Sequence, residues 1–230
     1  MSNALRDITT AVFRRSTRAA MAASVIAAAG GAELVIADVR VGLHALPTDF
    51  DYTVTDSEFD GHESADSTSF DYGFGLGVRG IYSFSSPGAA GGFFAGAEAF
   101  VGVYEYSHGP YRSLTGRVLG GYAYAFTEKL SMEITPFIGY GLSTFALSGE
   151  IEGQQVIDDI EFDGTVIEYG AMLGASYALT RSILIVAEAG WMQTTGDLSG
   201  DGIDIEMEQA GPAFFLGAVW RINGAPPRIE

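Results

Sequence analysis

The sequence predicts an all-β fold: a closed antiparallel up-and-down eight-stranded transmembrane β-barrel. Three observations lead there. Apolar residues alternate with small or polar ones in eight segments of about ten or more residues each, the repeat of barrels that cross membranes. Connections between these segments tend to alternate between short and long. Beyond residue 32 no run of eighteen apolar residues occurs, so the body of the chain offers no transmembrane helix.

Composition narrows the classes further. Of 230 residues, 31 are glycine and 18% are charged, below the quarter usual in soluble domains. There is no cysteine, which excludes disulfide frameworks and thiolate metal sites. The net charge is −17, and nucleic acid is excluded as a partner because phosphate binding needs a basic surface. The sign is uneven. Arg6, Arg14, Arg15 and Arg18 against Asp7 give residues 1–30 a charge of +3, which leaves −20 on the rest. The Ala-rich stretch 19–29 and small residues Gly30, Gly31 and Ala32 follow. That order predicts an export signal over 1–32, cleaved near Ala29 or Ala32; an N-terminal amphipathic helix that stays attached is the alternative. Residues 33–223 then form the barrel and 224–230 a short C-terminal tail.

Successive side chains of a strand point to opposite faces. In the first strand, 34–46, Val35, Ala37, Val39, Val41 and Leu43 oppose Asp38, Arg40, Gly42 and His44. In the second, 70–84, Phe74, Leu76, Val78, Tyr82 and Phe84 share a side opposite Gly73, Gly75, Gly77 and Arg79. The third, 93–106, sets Ala97, Ala99, Val101 and Val103 against Glu98, Phe100 and Gly102, and the fourth, 111–126, sets Leu114, Val118, Tyr122 and Tyr124 against Thr115 and Arg117. The fifth, Leu130–Leu147, places Met132, Ile134, Pro136, Ile138 and Tyr140 opposite Glu133, Thr135, Phe137 and Gly139. In the sixth, 165–179, Ile167, Tyr169, Leu173 and Tyr177 oppose Glu168, Gly170 and Gly174. In the seventh, 183–195, Ile183, Ile185 and Trp191 oppose Glu188 and Gly190. In the eighth, 208–222, Phe214, Leu216, Trp220 and Ile222 oppose Gln209, Gly217 and Arg221. Residues 47–69, 148–164 and 196–207 are the expected long loops and gather at one mouth. Pro136 and Pro212 lack a ladder donor, which predicts a bulge or strand end at each.

Volume decides which face meets what. Eight strands enclose a space that side chains barely fill. The bulky apolar stripe is too large for it, while the Gly-rich stripe leaves room for a few charges. The apolar stripe therefore faces lipid. Tyr82, Tyr122, Tyr124, Tyr177 and Trp220 fall near the short-turn end and Trp191 near the other, as interfacial aromatic girdles do.

With this strand rhythm, the loop asymmetry and the last strand from Phe214 to Ile222, residues 33–223 resemble the small eight-stranded outer-membrane barrels of the OmpA transmembrane-domain and opacity-protein type. The resemblance implies export to the outer membrane of a Gram-negative bacterium. It implies contact with outer-membrane lipid and lipopolysaccharide, a monomer, and a structural or surface-interaction role. A narrow porin-like channel is the alternative, and a lipid-modifying enzyme, known among such barrels, the third. Such barrels usually end on an aromatic residue; here Asn223 to Glu230 follow, so that assembly signal is displaced.

Charges on the inner stripe are Asp38, Arg40, Arg79, Glu98, Arg117, Glu133, Glu168 and Glu188. In a dry lumen opposite charges must pair, which predicts a plug of salt bridges or, alternatively, a gate whose pairs exchange partners. Asp197, Ser199, Asp201 and Glu208 have the spacing of a calcium loop, but no helices flank them. Asp204 holds a normally apolar place, and an acidic surface loop is the simpler expectation. No cofactor is expected beyond adventitious Ca²⁺ or Mg²⁺ at such acidic loops. Gly75, Gly77 and Gly80 match G-x-G-x-x-G inside a period-two run with no helix after it, so a dinucleotide site is not predicted. His44, His62 and His108 occupy no hydrolase motif.

Overall fold

A computed structural model of the chain describes residues 36–45, 50–55, 64–68, 70–84, 90–106, 109–147, 160–200 and 203–223. The expected signal segment, the C-terminal tail, His62, His108 and Asp201 lie outside them. Ten strands are assigned: β1 (Ile36–Ala45), β2 (Phe50–Thr55), β3 (Ser64–Thr68), β4 (Phe70–Ser83), β5 (Gly91–Tyr106), β6 (Gly109–Ala125), β7 (Leu130–Leu147), β8 (Ile160–Ala178), β9 (Ile183–Gly200) and β10 (Ile203–Asn223).

The ten form an eight-stranded ring. Each long strand pairs antiparallel with the next, and β1 pairs with β10 to close it. Strand β2 is the upper continuation of β1. The register that matches Ala45 with Phe214 carries on, unshifted, to Phe50 with Gln209 and Thr55 with Asp204. Strand β3 pairs with β2 and precedes β4 in the chain. A circuit of paired positions from Ala218 runs through Val41, Leu76, Val101, Leu114, Leu142, Thr165 and Asp197. It returns to β10 at Glu206, twelve residues from its start. With about 3.3 Å per residue and about 4.8 Å between strands, that stagger tilts the strands by roughly 45°.

Two of the lower turns are built alike. In 126–130 and 179–183 a threonine hydroxyl, Thr127 or Thr180, accepts from the N–H groups two and three residues on, at 3.0–3.2 Å. Phe126 and Leu179 N–H close each turn on the carbonyls of Leu130 and Ile183, both at 2.9 Å.

Three expectations are corrected. Residues 196–207 are no long loop: β9 and β10 stay paired from Trp220 with Ile183 up to Ile203 with Gly200. Part of 47–69 is likewise strand, in β2 and β3, and β8 begins at Ile160 rather than 165. The proline sites hold no bulge. Pro136 pairs with Ala171, and the register with β6 is the same at Leu119–Phe137 and Tyr122–Ile134, with the pairs between them lapsed. A missing N–H removes a bond without shifting the strand. Pro212 pairs with Trp191 in an unbroken ladder with β9.

Candidate functional site

The outer face carries the apolar stripe. Ile134, Ile138, Leu173, Ile185, Phe214 and Leu216 are all exposed. Toward the short turns the belt ends on Phe93, Tyr122, Tyr124, Phe126, Tyr177 and Trp220, and toward the long connections on Tyr140, Tyr169 and Trp191. Edge-to-face pairs Phe93–Tyr122 and Tyr124–Phe126 bind the lower girdle together, with centroids 5.1 and 5.0 Å apart.

Above Trp191 the two faces exchange character. Exposed positions become Glu161 and Asp163 on β8, Asp197 and Ser199 on β9, and Asp204, Glu206 and Glu208 on β10. Inward positions on the same strands become Phe162, Val166, Leu198, Ile205 and Met207, all nearly inaccessible. Together with Tyr104, Tyr111, Phe145, Met192 and Ala213 they form one apolar core inside the upper barrel. The lumenal stripe is therefore not merely small residues and charges, as the sequence suggested; large apolar side chains fill its upper part.

Below that core lies the charge network. All eight sequence-predicted residues point inward and come together. One row of paired positions crosses six strands as Asp38, Arg79, Glu98, Arg117, Gly139 and Glu168, its signs alternating around the glycine. Arg221, opposite Asp38, extends the row on β10. Arg117 grips Glu168 through two bonds, Nε at 2.5 Å and Nη2 at 3.2 Å, and reaches Glu98 at 3.3 Å. Arg40 joins Glu98 at 3.3 Å and also bonds Glu188. These contacts form one chain, Glu188–Arg40–Glu98–Arg117–Glu168. Arg79 forms a second, holding Asp38 at 3.2 Å and Glu133 at 2.9 Å.

Aromatic rings clamp the cations. The Arg117 guanidinium lies 4.3 Å from the Phe100 centroid and 4.9 Å from that of Phe137, and Arg40 lies 4.5 Å from that of Phe215. Glycines supply the space. A Cβ on Gly139 would lie 2.9 Å from Glu168 Oε1 and 3.0 Å from Arg117 Cγ, and one on Gly77 would lie 3.0 Å from Glu98 Oε1. At the seam between network and core, His44 Nδ1 and the Tyr104 hydroxyl hydrogen-bond at 2.5 Å.

The remaining site residues are placed as follows. Asp197, Ser199 and Glu208 stand on two extended, paired strands, and Asp197 faces Glu206 across the ladder. Extended backbone does not wrap a cation as a calcium loop does, and among the described residues no group of three His, Asp or Glu side chains converges on one point. Arg221, the aromatic clamps and the His44–Tyr104 bond were not singled out as site residues from sequence. Their lumenal parity was visible, but their contacts depend on strand register.

These features define a class: a closed eight-stranded barrel, apolar outside and ion-paired within, continued above its apolar belt by a polar-coated extension with an apolar core. No family model and no curated protein matches the chain. Among solved structures it is similar to the Escherichia coli outer-membrane protease OmpT, with 11% identity, TM-score 0.45, and 83% of this chain and 98% of that one covered. It is also similar to the attachment invasion locus protein Ail of Yersinia pestis, with 17% identity, TM-score 0.36, and coverage of 82% and 99%. A third is Neisserial surface protein A, with 13% identity, TM-score 0.40, and coverage of 81% and 96%. The assignment of the fold rests on the closed ladder itself.

Proposed function

We propose that the chain is an outer-membrane barrel protein with a structural or surface-interaction role, and that it presents a rigid acidic head above the bilayer. The exchange of polarity along β8, β9 and β10 carries this reading. A soluble barrel has no reason to expose Ile, Leu and Phe over one half of a strand and Asp and Glu over the other half. A bilayer edge at Trp191 supplies one. A tilted strand crosses hydrocarbon in about 9–11 residues, whereas β7 to β10 have 18, 19, 18 and 21. The excess of about 7–12 residues on these tilted strands raises the head roughly 20 Å.

The partners this reading carries are outer-membrane lipid and lipopolysaccharide, with a monomer as the unit. Membrane fractionation tests it: the protein is expected in the outer-membrane pellet and resistant to carbonate extraction, and recovery from the soluble periplasm would reject it. A filled lumen also supports a non-conducting protein, since Phe145, Phe162 and Met207 are sealed from solvent above the ion pairs. In planar bilayers the expected result is no stable unitary current. A large, steady one would favour the channel reading.

A further inference from the structure

His44 belongs to neither ion-pair chain, yet it touches both halves of the lumen. It is 4% exposed. Above it, its Nδ1 meets the Tyr104 hydroxyl at 2.5 Å. Tyr104 belongs to the upper apolar core and stacks there on Tyr111, with centroids 5.9 Å apart. On its other sides the imidazole meets two rings that carry cations. The Phe100 centroid lies 5.2 Å away, and the Arg117 guanidinium rests on that ring. The Phe215 centroid lies 6.4 Å away, and the Arg40 guanidinium rests on it. One side chain thus joins the upper core to the ion-pair network.

Four charged groups line a small cavity together with His44: Arg40 on β1, Glu98 on β5, Arg117 on β6 and Glu188 on β9. From β4 only Gly73 and Gly75 approach it. Glu98 is held through one oxygen by Arg40 and through the other by Arg117, and Glu188 is held by Arg40. Two carboxylates and two guanidinium groups balance without the imidazole, and no ion pair among the described residues includes it. A charged imidazole would be a third cation, out of water, beside two others. A neutral one accepts the Tyr104 O–H at Nδ1.

We infer that the His44–Tyr104 bond is an acid-sensitive latch that fastens the upper core to the ion-pair network. It is closed while the imidazole is neutral. A solvent proton taken up at Nδ1 removes the acceptor and adds a positive charge, and the latch opens. The unfolded chain takes up that proton near pH 6.5, about the ordinary value for histidine, while the folded barrel resists it. Stability is therefore full above that pH and is lost as pH falls.

His62→Asn with His108→Asn leaves His44 as the only histidine of the chain, and this protein in non-ionic detergent is the test. From about pH 7.5 to about pH 5.5 its folding equilibrium constant is expected to fall about tenfold in urea titrations. Unfolded carboxylates ionise near pH 4 and contribute little in that window. Adding His44→Asn, which still accepts from Tyr104 but takes no proton, should make the constant equal at both ends. Hydrogen exchange at Ile205 and Met207 in the upper core should lose protection in acid with His44 and keep it with His44→Asn. The imidazole proton resonances of the folded barrel should hold one position throughout. If His44→Asn fails to fold, those resonances decide the matter. Resonances that titrate near pH 6.5, or stability that is level or rises in acid, would overturn the proposal. So would a fall that persists in His44→Asn, or exchange at Ile205 and Met207 whose protection ignores pH.

Discussion

Arg117 shows what a single lumenal residue controls. It binds two carboxylates and lies between two aromatic rings, all within the sealed part of the barrel. A Met of similar volume would keep the packing and remove the charge. Glu98 would retain Arg40, but Glu168 would lose the guanidinium that holds both its oxygens. Breaking a buried pair from one side costs about 3–5 kcal/mol. Arg117→Met is therefore expected to lower the unfolding midpoint in detergent sharply, and adding Glu168→Gln should recover much of the loss. A double-mutant cycle showing simple additivity would mean the pair contributes nothing. That these residues line the lumen was legible in the sequence, because parity along a strand fixes the face. Which carboxylate meets which arginine was not. The row from Asp38 to Glu168 exists only once six strands are set in register, and no local pattern states that register.

Within single elements, glycine separates the two faces. Gly116 and Gly139 sit on adjacent strands, yet a Cβ on Gly116 finds only Tyr140 O at 3.9 Å, while one on Gly139 strikes the Arg117–Glu168 pair. Gly116→Ala is expected to leave stability unchanged, and Gly139→Val to cost about 1–3 kcal/mol through overpacking. Denaturant titration of both variants checks it, and equal effects would place Gly139 outside the network. Strand β7 was legible from end to end, from Leu130 to Leu147, because its outward residues stay apolar through Leu142. The upper halves of β9 and β10 were not. Ile203, Ile205 and Met207 alternate with Asp204, Glu206 and Glu208, which is strand periodicity in plain view. Its polarity is reversed relative to the rest of the strand, so a reading tuned to apolar-outward stripes stops at residue 195 and sees an acidic loop.

At the scale of the molecule, the same strands solve two solvation problems in succession. In the belt, closure satisfies the backbone, and on the proposed outer-membrane reading lipid covers the apolar face, so the lumen can hold ions. In the head, water covers the outside, so the inside must supply an ordinary apolar core. The boundary can be tested by carrying one charge along the outer face of β8. Leu173 sits in the belt beside Ile134 and Ala189, whereas Asp163 stands in the head beside Thr144 and Ser199. Arginine on the lipid face near mid-bilayer costs about 2–4 kcal/mol, and almost nothing outside it. Leu173→Arg is expected to impair folding into lipid vesicles by that amount, and Asp163→Arg to be neutral or mildly favourable, since it relieves a crowd of like charges. Urea titration in vesicles measures both. Equal tolerance at the two positions would mean that no bilayer surrounds Leu173, and the exchange of polarity at Trp191 would then need a different cause.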